Sequence, residues 1–257
     1  AAGFLRESVV PWPALESVEG QRMVLTAVLP VVDGTKVVPR SGFGPRLIYV
    51  VGGTGGGGRL STVELYDPQA ASWTQRAGML GTRSTHGCVT LDGKLYAVGG
   101  VGADRQQLDT AEVYDPQTDG WQPLQAKMST ARNRLGLAAV DGNIYAIGGW
   151  LDGSALESVE AYDPQLGAWA PVASMSQKRF GHASVVLDGK IYAMGGSCND
   201  ANLLDTVEVY DPQADSWQRV ASMPRRLCEH AAAVMGGKIY VTGGETNRVD
   251  SVNSVYV

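Results

Sequence analysis

Residues 183–217 contain the stretch on which the fold turns: ASVVLDGKIYAMGG from Ala183 to Gly196, then VEVYDPQADSW from Val207 to Trp217. The apolar run Ala183 to Leu187 meets Asp188-Gly189, a favoured dipeptide for a two-residue hairpin turn with positive φ at both central residues. The return run, Lys190-Ile191-Tyr192-Ala193-Met194, ends in Gly195-Gly196, where missing side chains let neighbouring backbones pack closely. After a loop, a third run from Thr206 to Tyr210 stops at Asp211-Pro212, because proline cannot donate to a sheet ladder and presets its φ for a turn. A fourth run starts at Trp217. The segment predicts four short antiparallel strands.

The same unit recurs along the chain. Tyr-Asp-Pro-Gln begins at Tyr66, Tyr114, Tyr162 and Tyr210, and a tryptophan follows each at Trp73, Trp121, Trp169 and Trp217. Gly-Gly doublets start at Gly52, Gly99, Gly148, Gly195 and Gly243, and the hairpin dipeptide returns as Asp92-Gly93, Asp141-Gly142 and Gly236-Gly237. Self-similarity at a fixed period identifies a repeat architecture. The blade tyrosines and tryptophans are expected to fill the space between neighbouring sheets.

A Gly-Gly doublet, a tyrosine before an acidic-Pro turn and a spaced tryptophan are the signature of the Kelch repeat, and residues 41–257 resemble that family. The resemblance implies an all-β, Kelch-type β-propeller of four-stranded antiparallel blades around a central channel. About five blades are present, the first counted from Leu47 and the last incomplete after its third strand. Residues 1–40 do not repeat. There, residues 19–29 place Val24, Ala27 and Val28 on one helical face before Pro30, which predicts a short amphipathic helix. This N-terminal helical or linker segment resembles the end of the BACK domain in BTB-BACK-Kelch proteins, and the chain is expected to be part of a longer polypeptide. An irregular cap on another Kelch protein is the alternative.

Composition agrees with many strands and tight turns: 33 glycines stand against 3 phenylalanines in 257 residues. A formal net charge of −5 gives no general attraction to nucleic acid or anionic lipid. The longest apolar stretch, Met23 to Val32, is broken by Thr26 and Pro30 and is about half the length of a membrane span. Cys88, Cys198 and Cys228 form neither a CxxC pair nor an even framework, so a reducing, cytoplasmic compartment is expected.

Several candidate chemistries dissolve on the repeat. His86, His182 and His230 each lie at the same distance before a hairpin turn, so they read as one structural position and not as a metal set. Glu64, Glu112, Glu160 and Glu208 recur in the same way, which disfavours a paired-carboxylate glycosidase. The glycines from Gly52 to Gly58 lack the Lys-Ser/Thr and helix of a phosphate loop. No catalytic residue, metal or cofactor is expected.

What remains is basic. An up-and-down blade puts the loops after its second and fourth strands on one face, and these carry Arg83, Arg132, Arg134, Lys178, Arg179, Arg225 and Arg226, together with Arg59, Arg105 and Arg248. Arginine suits bidentate capture of carboxylate, and a concave mouth focuses its field. Arg83, Arg132 and Arg179 recur with the repeat, so pairing with blade carboxylates is the alternative for them. Arg105, Gln106, Asn133, Arg134 and Trp150 do not recur and are the stronger specificity candidates; Arg226 completes the set. The stretch Arg132-Asn133-Arg134-Leu135-Gly136 resembles a loop used for acidic-peptide capture by the Kelch-like oxidative-stress sensor.

The resemblance implies a protein-interaction module that recognises a protein or acidic peptide. Its family role would be substrate recognition for a cullin-type E3 ubiquitin ligase, with the cullin reached only through upstream domains. Actin binding or another scaffold role is the alternative. A Kelch-propeller enzyme, such as a copper-radical oxidase or sugar epimerase, would need non-repeating reactive side chains at the channel mouth.

Overall fold

The computed structural model describes residues 25–30, 46–199, 202–246 and 255–257. Among these, all regular structure is strand. Blade one comprises β1 (Leu25–Pro30), β2 (Arg46–Val51), the small hairpin β3 (Thr54–Gly55) and β4 (Gly58–Arg59), β5 (Val63–Asp67) and β6 (Ser72–Arg76), in sheet order β1-β2-β5-β6. Blade two is β7 (Gly87–Leu91), β8 (Lys94–Val98), β9 (Ala111–Asp115) and β10 (Gly120–Pro123). Blade three is β11 (Gly136–Val140), β12 (Asn143–Ile147), the hairpin β13 (Trp150–Leu151) and β14 (Ser154–Ala155), β15 (Val159–Asp163) and β16 (Ala168–Val172). Blade four is β17 (Ala183–Leu187), β18 (Lys190–Met194), β19 (Val207–Asp211) and β20 (Ser216–Val220). Blade five has three strands, β21 (Ala231–Met235), β22 (Lys238–Thr242) and β23 (Val255–Tyr256). The chain divides into two compact units, one with the first two blades and one with the last three.

The turn chemistry read from the dipeptides is realised. Asp188 and Gly189 take φ 51° and 73°, and Leu187 pairs with Lys190 across them. Asp92-Gly93, Asp141-Gly142 and Gly236-Gly237 are built alike. At the same end of the blade, after the third strand, Asp115 and Asp211 accept the amides of Gln117 and Gln213 at 2.9 and 3.0 Å, forming Asx turns that explain why aspartate precedes the proline.

One expectation is corrected. The helix predicted over 19–29 gives way, where the structure describes it, to strand β1, whose residues pair with β2 from Leu25↔Val50 to Pro30↔Arg46. The physical reason is the open ladder of β2: every other blade supplies a first strand, and Leu25-Thr26-Ala27-Val28-Leu29 satisfies those backbone groups. Blade one therefore begins with β1 and not at Leu47. The rest of residues 1–40, and with it the proposed BACK boundary, lies outside the described residues.

The core lies between blades. In the first unit Tyr49, Val51, Val63 and Leu65 of blade one meet Cys88, Leu95, Ala97, Tyr114 and Trp121 of blade two. In the second, Val140, Tyr145 and Ile147 of blade three meet Ile191, Ala193 and Tyr210 of blade four, while Met194 and Val207 meet Val241 of blade five. A polar staple ties neighbours together. Trp121 donates to the Ala77 carbonyl at 2.9 Å, and Asp119 accepts both the Ala77 amide (3.1 Å) and the Tyr114 hydroxyl (2.6 Å). Trp217, Asp215, Tyr210 and Ala173 repeat this arrangement in the second unit. Burial, and then the bond to Asp119, holds the Tyr114 hydroxyl protonated far above the ordinary tyrosine range.

The tryptophans are less uniformly buried than expected: Trp121 is buried, Trp169 and Trp217 are half-buried, and Trp73 is exposed on blade one. A fourth strand is covered only where a neighbouring blade reaches it. Trp121→Ala is therefore the informative truncation, expected to cost about 3 kcal/mol in urea unfolding, whereas Trp73→Ala should cost under about 1 kcal/mol.

The three histidines are scaffold residues. A side chain on Gly195 would meet His230 Cε1 at 2.8 Å, and one on Gly244 would meet its Cβ at 2.7 Å. His230 thus fits between the first glycine of one blade's doublet and the second glycine of its own. His86 sits in the same way between Gly52 and Gly100.

Candidate partner-binding rim

The loop that leads into each blade's first strand follows one pattern in space. Arg83, Arg132, Arg179 and Leu227 occupy one position, and all four are buried. Two residues on, Thr85, Arg134, Gly181 and Glu229 all take a left-handed backbone, with φ of 52°, 50°, 60° and 55°.

The buried arginines are cross-braces. Arg179 reaches Glu208 Oε1 at 2.7 Å, the carbonyls of Gly195 and Thr206 at 2.7 and 3.1 Å, and the Thr206 hydroxyl at 3.3 Å. The other Glu208 oxygen accepts the Ser176 amide at 2.8 Å. Arg83 binds Glu112, Gly99 and Thr110 in the same manner, and Glu112 accepts the amide of Leu80. Burial pushes the Glu208 carboxyl up, but the Arg179 guanidinium and Ser176 outweigh it and hold the group below its ordinary value. Arg132 is fully enclosed as well. The structure therefore removes Arg83, Arg132 and Arg179 from the partner-binding set. Asn133 leaves it too, being buried with its amide donating to Gln107 at 2.9 Å.

Of the expected residues, three are exposed and two are half-buried. In the first unit Arg105, at φ 60°, and Gln106 are exposed on the loop after the blade-two doublet. In the second unit Arg226 is exposed and Arg134 is half-buried, with 38% of its side-chain surface accessible. Trp150 is half-buried, its ring packed edge-on against Phe180 at 4.6 Å between centroids. The Arg134 guanidinium stands 5.8 Å from the centre of that Phe180 ring, within cation–π range. Arg248 lies outside the described residues.

Backbone hydrogen bonds fix this group. The Gly181 amide donates to the Arg134 carbonyl at 2.8 Å and the Glu229 amide to the Gly181 carbonyl at 2.7 Å. Phe180 and Glu229 escaped the sequence reading.

The arrangement offers a partly accessible arginine on an aromatic platform. Among the described residues, no group of three or more His, Cys, Asp or Glu side chains is placed to hold a metal ion.

Over a short stretch the chain is similar to two proteins of Caenorhabditis elegans. It is 43% identical over 58 residues to Kelch repeat and BTB domain-containing protein F47D12.7, covering 23% of this chain and 10% of that protein. It is 42% identical over 57 residues to Kelch repeat-containing protein kel-10, covering 22% and 10%. The matched stretch thus spans a tenth of each relative's length. Among solved structures, that of YjhT is similar with a TM-score of 0.71 and 15% identity, over 81% of this chain and 77% of the other, a likeness of fold. Residues 48–256 match the Attractin/LZTR1 beta-propeller family. With its Kelch repeats in register through that span, the chain belongs to this family of Kelch-type β-propellers.

Proposed function

We propose that this chain is a binding module that takes an acidic peptide of a partner protein on its arginine-bearing rim, and that it is not an enzyme. The observation that carries the reading is Arg134. Arginines at the neighbouring repeat position are consumed by the scaffold, whereas Arg134 keeps a partly accessible side chain over Phe180, against which Trp150 packs. A guanidinium held against an aromatic face is preorganised for a carboxylate, and Arg and Trp are over-represented among interface hot spots.

Arg134→Ala is expected to weaken binding of a displayed and selected Asp/Glu-rich peptide by about 2 kcal/mol, roughly thirtyfold, with the urea midpoint unchanged. Added salt should weaken the wild-type complex. An unchanged affinity would remove this rim from partner recognition.

Within that reading, the finer role is the substrate-recognition part of a cullin-type ubiquitin ligase adaptor. Its support is the Kelch array and the likeness to a relative whose name includes a BTB domain. The full-length gene tests it: an upstream BTB domain and a co-purifying cullin are expected, and absence of the BTB domain ends the proposal.

A further inference from the structure

The left-handed positions of the last three blades read Arg134, Gly181, Glu229, and each is joined to the next by a backbone hydrogen bond. The middle residue matters for what it lacks. A side chain on Gly181 would lie 3.0 Å from Glu229 Oε1 and 3.3 Å from its Cδ, so the Glu229 carboxylate occupies the space a larger residue would fill. From there Oε1 comes within 3.5 Å of Arg134 Nε. The carboxylate has folded back across the neighbouring loop toward the guanidinium.

The contact is loose. At 3.5 Å it neutralises charge without forming a good hydrogen bond, while a partner carboxylate gripping the guanidinium fork in bidentate fashion would approach to about 2.8 Å. The pair is partly in water, at 38% and 26% side-chain exposure, although the Glu229 Oε1 that faces Arg134 is itself enclosed and has no hydrogen-bond partner among the described residues. Its consequence falls on recognition.

We propose that Glu229 is a built-in competitor at the rim: it holds Arg134 when no partner is bound, and an acidic peptide must displace it to dock. The proposal rests on the rim reading given above. The site would then present a neutral pair to weakly acidic chains and would open only to segments dense in carboxylates, which raises selectivity at the expense of affinity.

Glu229→Gln in the intact chain tests this with two readouts. The first needs no partner: phenylglyoxal modification of Arg134, followed by mass spectrometry with exposed Arg225 and Arg226 as internal references. Freed from its carboxylate, Arg134 is expected to react about three- to fivefold faster, the range an exposed ion pair supports. The second is binding of a fluorescein-labelled twelve-residue Asp/Glu-rich peptide, with its Asn/Gln counterpart as control. Affinity for the acidic peptide is expected to rise by a similar factor, and that gain should vanish in an Arg134→Gln background.

An unchanged Arg134 reaction rate overturns the proposal. So does an equal affinity gain with and without Arg134, which would mean simple removal of a negative charge. If the wild type binds the peptide and Glu229→Gln leaves that affinity unchanged, the competitor role alone falls. If neither protein binds it even though Arg134 reacts faster, the acidic-partner reading fails and takes the competitor role with it.

Discussion

As the pH falls from about 6.5 to about 4.5, the free energy of unfolding is expected to drop steeply, by up to about 1.4 kcal/mol per pH unit for each of three histidines. Burial, and for His86 also the nearby Arg83 charge, pushes that imidazole down to about 3 from an ordinary 6.5. Burial likewise lowers His230 to about 4 and His182 well below the ordinary range. Above about 6.5 the rings are neutral in both folded and unfolded chains, so they contribute nothing to pH dependence there. Below it the unfolded chain takes up protons that the folded one refuses, and stability is lost until the folded values are reached. The depressed Glu208 carboxyl acts in the same direction at lower pH, its contribution being present above the ordinary carboxylate range and lost below it. Urea unfolding across this window checks the slope. Blade three carries Leu135 at the histidine position, so His182→Leu is a substitution the scaffold already accommodates. It should remove one proton from the linkage, flattening the curve by about a third of the histidine contribution. A pH-independent midpoint from neutrality to about 4.5 would contradict the burial of these rings.

What was legible in the sequence was whatever depends on backbone conformation. Asp188-Gly189 names its turn because few residues tolerate positive φ, and the Gly-Gly doublets name a close approach because a side chain there would strike the carbonyl oxygens of the loop entering the next blade, at Arg83, Arg179 and Leu227. β1 was not legible: Leu25-Thr26-Ala27-Val28-Leu29 suits a helix face or a strand, and the deciding factor is the unpaired ladder of β2, which is a tertiary fact. The rim was half legible. Arg83 and Arg179 stand at the same distance before Glu112 and Glu208, so the rule that makes the three histidines scaffold residues applies to these pairs as well. Phe180 and Glu229 are different. Nothing in their local sequence shows that one lies under Arg134 and the other reaches it across Gly181, because that depends on loops from three blades meeting in space.

Arg179→Met is expected to destabilise the chain by about 4 kcal/mol, since it strands the Glu208 carboxylate in a dry interior. Arg179 has no exposed surface, and the Glu208 side chain is 1% exposed. Loss of the guanidinium would also leave the carbonyls of Gly195 and Thr206 short of a donor. Part of the cost should return on removing the second charge: Arg179→Met with Glu208→Gln is expected to recover about 1 to 2 kcal/mol, because a neutral amide is cheaper to bury than an unpaired carboxylate. The Ser176 amide would still find an acceptor in the glutamine oxygen. The same pair of substitutions discriminates between scaffold and recognition. If Arg179 were a partner-binding residue, Arg179→Met would lower affinity at unchanged stability, as Arg134→Ala should. Its enclosure requires the opposite ordering: a large loss in urea unfolding and, at temperatures where the variant remains folded, unaltered affinity for an acidic peptide held at Arg134.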